Sequence, residues 1–228
     1  MNKGLWTAFF AVAAAGSALA QAQYYVRGEF NGWGLNDPMN DLGGGHYFKL
    51  ITGLNAGQAY SFKSANADWS IEAPAAVNVR AVANANGELG VHFYDIVAPG
   101  DGWLPEARRT GYDDPGSHGW DIMGSFNGWS NPILDLTNMG NGRYSGKVQL
   151  GAGDYEFKFR KTGDWNVSIG SAFADNGSNA TLSLANNAEV IFDLDLTNGR
   201  YRTQIVPEPA TIAALGLGLA AALRRRRK

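Results

Sequence analysis

The tetrapeptide Phe30-Asn31-Gly32-Trp33 returns 96 residues later as Phe126-Asn127-Gly128-Trp129. Each copy closes a strand-like run, with a glycine two residues before the Phe. The segments downstream of the two tetrapeptides repeat as well. Gly45-His46-Tyr47 answers Gly142-Arg143-Tyr144, and Leu54-Asn55-Ala56-Gly57 answers Leu150-Gly151-Ala152-Gly153. Tyr60-Ser61-Phe62-Lys63 answers Tyr155-Glu156-Phe157-Lys158, and Asp68-Trp69 answers Asp164-Trp165. Five ordered blocks at offsets of 95 to 97 make the chain a duplication of a unit of roughly 90 residues. Function has to be read from what both copies kept.

The duplicated part has the composition of turn-rich β structure. Glycine is frequent at 30 of 228 residues, and short apolar runs are separated by Gly, Asn and Asp, the punctuation of an all-β chain. Each copy is near the size at which one core sustains itself. There are no cysteines, which excludes disulfides and thiolate metal sites.

Both ends carry processing signals. Residues 1–22 read as a signal peptide: Lys3, an apolar helix from Leu5 to Ala15, and Ser17-Ala18-Leu19-Ala20 as the small-residue cleavage site, with cutting after Ala20 or Ala22. At the other end, Val206-Pro207-Glu208-Pro209-Ala210 leads into an apolar run from Ala210 to Leu223 and then Arg224-Arg225-Arg226-Arg227-Lys228. Fourteen residues are short against the 17 to 25 or so of a bilayer span, but the basic cluster fits a cytoplasmic stop.

Residues 207–228 resemble a PEP-CTERM sorting signal, the tripartite tail of many exported proteins of exopolysaccharide-producing Gram-negative bacteria. Pro207-Glu208-Pro209, a hydrophobic sorting helix and a terminal arginine run match it in order. The resemblance implies recognition by an exosortase-type peptidase, a transient inner-membrane anchor, and release to the cell surface or extracellular matrix. A permanent tail anchor is the alternative. Without both ends, residues 21–206 hold 13 Lys+Arg against 20 Asp+Glu, a formal charge of −7. That balance disfavours nucleic acid, anionic lipid and acidic polymers as partners.

Strands are expected over Tyr24–Phe30, His46–Ile51, Ala59–Ser64, Val91–Val97, Asp154–Lys161, Val190–Leu196 and Arg200–Val206. Asn198-Gly199 is a favoured hairpin turn. Residues 75–90 read as strand plus loop, Trp103–Thr110 as a last strand of copy one or linker, and 111–118 as linker. About seven short strands per copy, with turn signals roughly every eight to twelve residues, predict an immunoglobulin-like fold. The expected organisation is two tandem β-sandwiches, at 23–110 and 119–206.

Few residues suggest catalysis. His46, His92 and His118 have no metal-ligand spacing, and strand histidines are usually packed or edge residues. Asp113-Asp114 reads as a solvated turn, while Asp193 and Asp195 alternate on a strand and lack the rest of a calcium loop. No Gly-x-Ser-x-Gly elbow or phosphate loop is present. A non-enzymatic protein with no metal and no cofactor is expected.

The repeated tryptophans suggest binding. Trp33 and Trp129 follow the Phe-Asn-Gly turn, and Trp69 and Trp165 follow an Asp after the return strand, 36 residues later in each copy. A flat indole suits the apolar face of a pyranose ring, and Lys63 and Lys158 lie nearby to serve its hydroxyls. The plain alternative is that one Trp per copy is core; Phe30 and Phe126 read as core.

The block order Gly-x-Phe-Asn-Gly-Trp, Gly-x-Tyr, Leu-x-Ala-Gly, Tyr-x-Phe-Lys, Asp-Trp resembles the glycogen-binding module of the AMP-activated protein kinase β subunit and related early-set domains of starch-active proteins. The resemblance covers about residues 24–97 and 120–195. It implies early-set sandwiches that bind α-glucan through Trp33, Lys63 and Trp69 in copy one and Trp129, Lys158 and Trp165 in copy two. The family's further Asn contact has no assigned residue in either copy. The expected function is binding of α-glucan or a related exopolysaccharide by an exported protein. The alternative is a structural matrix or surface scaffold with no sugar site.

Overall fold

The computed structural model describes residues 22–97, 100–114, 116, 118–175 and 177–206. The predicted signal through Gln21 and the sorting segment from Pro207 lie outside the described residues. Copy one runs β1 (Tyr24–Gly28), β2 (Asn40–Gly43), β3 (His46–Ile51), β4 (Ala59–Asn66), β5 (Glu72–Ala73), β6 (Val79–Val82), β7 (Leu89–Tyr94) and β8 (Arg109–Tyr112). Copy two runs β9 (Trp120–Gly124), β10 (Leu134–Asp135), β11 (Thr137–Gly140), β12 (Arg143–Leu150), β13 (Gly153–Lys161), β14 (Asp164–Ile169), β15 (Ala180–Leu184), β16 (Ala188–Asp195) and β17 (Arg200–Val206). The chain is all-β, as expected. Among the described residues no helix is long and apolar enough to cross a membrane.

The strands form four antiparallel sheets, two from each copy. In one sheet of copy one, β1 lies on one side of β4, and β5 and β6 lie on the other; its second sheet runs β2-β3-β7-β8. Copy two repeats this with β9, carrying β10, on one side of β13, and β14 and β15 on the other, beside a second sheet β11-β12-β16-β17. The first sheet of each copy carries the tryptophans.

The alternation along each strand decides which face is buried. Phe157 and Phe159 are fully buried while Lys158 between them is half-exposed. Each such ring contributes about 1.5–3 kcal/mol by leaving water. Inward rings connect the two sheets of a copy: Tyr24 meets Tyr47 at 4.8 Å and Phe93 at 4.6 Å, and Phe157 meets Phe192 at 5.1 Å.

The copies adjoin more closely than a linker would suggest. Gly111 and Tyr112, which the sequence alone assigns to a linker, belong to the buried strand β8. Tyr112 N donates to Leu196 O at 2.8 Å, and Arg109 Nε donates to Asn198 O at 2.9 Å. Leu104 and Tyr201 exchange two main-chain hydrogen bonds of 2.7 Å each. Buried residues of both copies belong to one hydrophobic cluster.

Asp193 and Asp195 are buried ion-pair members rather than surface acids. Asp193 accepts from Ser145 Oγ at 2.6 Å, Arg202 Nε at 2.7 Å and Gln204 Nε2 at 2.9 Å. Burial alone would raise its pKa, but these donors outweigh burial and hold it below the ordinary value. Its contribution to stability is therefore full above about pH 4, the unfolded value, and is lost as pH falls through the lower folded value. Asp193→Asn is expected to flatten the fall of melting temperature below that pH. An unaltered acid limb in the variant would show that the contacts carry no pH-dependent stability.

Candidate functional site

The site begins with the glycine that precedes each Phe-Asn-Gly-Trp. A Cβ on Gly28 would stand 2.7 Å from Phe62 Cβ and 2.8 Å from Ser61 O, and one on Gly124 would stand 2.5 Å from Glu156 O. The first strand passes the return strand too closely for any side chain. A 3-10 turn comes next, Glu29–Asn31 or Ser125–Asn127, and Gly32 and Gly128 then take φ of 59° and 64°. Phe30 and Phe126 lie half-buried against the core, beside Tyr60 and Tyr155.

Trp33 and Trp129 themselves take φ of 63° and 62°. Left-handed backbone costs a bulky residue roughly 1–2 kcal/mol. Main-chain and Asn contacts hold it there. Trp33 N donates to Gly28 O and Trp129 N to Gly124 O, both at 3.0 Å. Asn31 accepts from Gly28 N and donates to Val26 O and Asp37; Asn127 accepts from Trp129 N and donates to Asn131 O. The same strained indole placement is kept twice.

The Asp before the second Trp pins a turn. Asp68 Oδ1 accepts from Ser70 Oγ at 2.8 Å and Ser70 N at 3.1 Å, which holds its carboxyl below the usual range. Asp164 accepts from Lys161 Nζ at 2.9 Å and Asn166 N at 2.9 Å, with the same consequence. Trp69, at φ 63°, is 38% exposed, and Trp165, early in β14, is 43% exposed.

A guanidinium lies against each exposed indole. Arg27 stands 3.5 Å over the Trp69 ring and Arg160 4.9 Å over the Trp165 ring, a favourable cation–π placement. Arg27 also donates to Trp33 O at 2.8 Å and to Asn66 O and Ala67 O, so one side chain ties both tryptophan turns of copy one. Arg160 is held by Asp121 through Nε–Oδ1 at 3.0 Å and Nη2–Oδ2 at 2.7 Å. Each partly exposed ring thus carries a guanidinium against one face.

In copy one, Trp33, Lys63, Trp69, Glu72 and Asn78 line an open groove of roughly 510 Å³. Lys63 Nζ is paired with Glu72 at 2.9 Å and is only 6% exposed. In copy two, the Trp129 and Trp165 rings lie 6.1 Å apart at 47°. Lys158 is half-exposed and has no hydrogen-bond or ion-pair partner among the described residues. The structure thus brings Trp33, Lys63 and Trp69 together and sets Trp129 beside Trp165, with Lys158 free on the same outer face of β13.

Three further kinds of participant escape the sequence reading. The guanidinium comes from β1 in copy one and from β13 in copy two, so Arg27 and Arg160 do not align at a constant offset. Asn78 and Asn179 precede the residues that pair with Phe62 and Phe157, so register makes them equivalent. Glu72 arrives from β5. Asn179 Nδ2 donates to Glu156 Oε2 at 3.0 Å.

Elsewhere, two of the three histidines prove to be linked. His46 Nε2 lies 3.0 Å from His92 Nδ1, and His92 Nε2 lies 3.0 Å from Asp113 Oδ1. The Asp113-Asp114 turn is solvated only in part, because Asp114 is half-buried and accepts from the Tyr144 hydroxyl. Burial raises the Asp114 pKa and lowers that of His118, 3.5 Å away. Among the described residues no group of three or more His, Asp or Glu is placed to hold a metal ion.

Comparison with protein families matches residues 206–228 to the PEP-CTERM protein-sorting motif. That motif marks an exported protein handled by an exosortase-type system and sorted to the cell surface. A search of curated proteins found no match.

Proposed function

We propose that this exported chain is a non-catalytic polysaccharide-binding protein built of two early-set immunoglobulin-like sandwiches. Each sandwich offers a tryptophan pair to α-glucan or a related exopolysaccharide. Support for the sandwiches comes from the two facing sets of inward rings in each copy. The observation that carries the binding reading is the indole pair kept on the outer face of both copies, one ring in strained backbone and the other exposed with a guanidinium beneath it. Strain of this kind persists where surrounding structure holds it for use. In copy one Lys63 and Asn78 line the groove beside the flat apolar rings, the mixture that sugar faces require. Exosortase-type cleavage after export would leave the two copies at a polysaccharide-rich surface.

Affinity electrophoresis of the chain through gels holding glycogen, amylose or bacterial exopolysaccharide tests this. Retardation is expected, and Trp165→Ala should weaken it about tenfold or more, the effect of losing one stacking anchor of some 2 kcal/mol. The variant should stay folded, since Trp165 is 43% exposed and lies outside the hydrophobic cluster. One observation favours the scaffold reading: in copy one Lys63 is already satisfied by Glu72. No retardation on any gel, with normal folding, would leave that reading standing.

A further inference from the structure

We infer that the copy-one tryptophan groove and the copy-two tryptophan pair act as one composite site for a single long, neutral polysaccharide strand, an inference that rests on the sugar-binding reading above. The first observation is the seam between the tryptophan-bearing sheets. Asp175 N donates to Asn78 O at 2.9 Å in an antiparallel bridge. Asn78 lies in the β5–β6 crossover and Asp175 in the β14–β15 crossover, so the two copies meet through corresponding edges. The bridge joins loop to loop and sets the two tryptophan-bearing sheets side by side without merging them.

The core sides agree with that placement. Val79 and Ala81 of β6, Ile169 of β14, and Phe173 all belong to one hydrophobic cluster, and the rings of Tyr112 and Phe173 meet across the junction at 6.5 Å. The outer faces, which carry the tryptophans, therefore both point away from a shared interior. Asn78 belongs at once to the copy-one groove and to the seam. On the other side of the seam β14, which carries Trp165, is in contact with β6. A further furrow of roughly 540 Å³ lies where the copies meet, walled by Leu104 to Ala107 from copy one and by Ser171, Ala172 and Asn179 from copy two.

Charge pairing selects the polymer class. Lys63 is paired with Glu72, Arg160 with Asp121, and Lys161 with Asp164. Among the described residues Lys158 has no ion-pair partner and Arg27 is held by carbonyls alone, while the other cations around the indoles are neutralised, so the surface suits a neutral strand. Main-chain hydrogen bonds fix the copies relative to each other, so a polymer held in the copy-one groove meets the copy-two indoles without the entropy loss of a floppy tether.

Calorimetric titration of the full chain, with maltotetraose as the short probe and long amylose as the polymer, separates the possibilities. The unaltered chain is expected to bind amylose at least about 100-fold more tightly per site than maltotetraose. Trp69→Ala and Trp165→Ala should each abolish that advantage while leaving maltotetraose affinity unaltered at half the stoichiometry. Single variants that keep tight amylose binding at half capacity would overturn the composite site. So would an unaltered chain that binds both probes equally. Binding of neither probe by the unaltered chain would instead remove the α-glucan reading beneath it.

Discussion

Asp121→Ala is expected to cost about 3–5 kcal/mol of folding stability, the range for breaking a buried ion pair from one side. Asp121 is fully buried and meets Arg160 through two parallel hydrogen bonds of 3.0 and 2.7 Å. The arginine, 9% exposed, would be left with its charge in a dry setting. The same guanidinium lies 4.9 Å over Trp165, so a fold that survives should also hold that ring less firmly. Urea unfolding should therefore show a midpoint lower by at least about 1 M, with weaker retention on glycogen gels. Replacing both partners, Asp121→Leu with Arg160→Met, should recover much of the stability but not the retention, because the charge cost disappears while the support of the ring does not return. A single variant as stable as the unaltered chain would show that the pair contributes nothing net.

Copy one supports Trp69 without such a pair. Tyr25 and Ala65 take the cross-strand positions of Asp121 and Arg160, and Arg27 reaches the indole from the neighbouring strand instead. What the duplication kept is a guanidinium beneath an exposed indole, not an arginine at one position. Blocks aligned at a constant offset cannot reveal that, since the two solutions exchange strands.

Local features are legible in the sequence for the same reason that these are not. A period-two run such as Asp154–Lys161 states its own buried face, and Phe-Asn-Gly-Trp contains every residue needed to make its turn. Asn78 and Asn179 are hidden by length. Asn78 lies nine positions after Trp69 and Asn179 fourteen after Trp165, so they match only once strand register is known. Asp114 reads as a solvated turn because nothing near it in sequence announces Tyr144, from whose hydroxyl it accepts. The seam between copies is illegible in principle, because it depends on which sheet edges remain unpaired after each copy has folded.

Gly111, a linker residue by sequence alone, offers the sharpest test of the seam. Gly111→Val is expected to cost about 3 kcal/mol or more and to split one unfolding transition into two. A Cβ at Gly111 would stand 2.2 Å from Thr197 O, 2.6 Å from Leu196 O and 2.6 Å from Gly199 N. All three are backbone atoms, so no rotamer change relieves the clash. Gly199 is constrained from the other side, since its own Cβ would lie 2.6 Å from Thr110 O. Two glycines thus face one another across the junction, and a side chain on either must push the copies apart. That shift would break the bonds from Tyr112 N to Leu196 O and from Arg109 to Asn198 O, which couple the two cores. Gly163→Ala is the control: its φ of 76° strains any side chain, but nothing lies within 4 Å of the new atom. It should cost only about 1 kcal/mol and leave a single transition. Differential scanning calorimetry reads both variants directly. One cooperative peak for Gly111→Val, at the temperature of the unaltered chain, would mean that the copies do not depend on this contact.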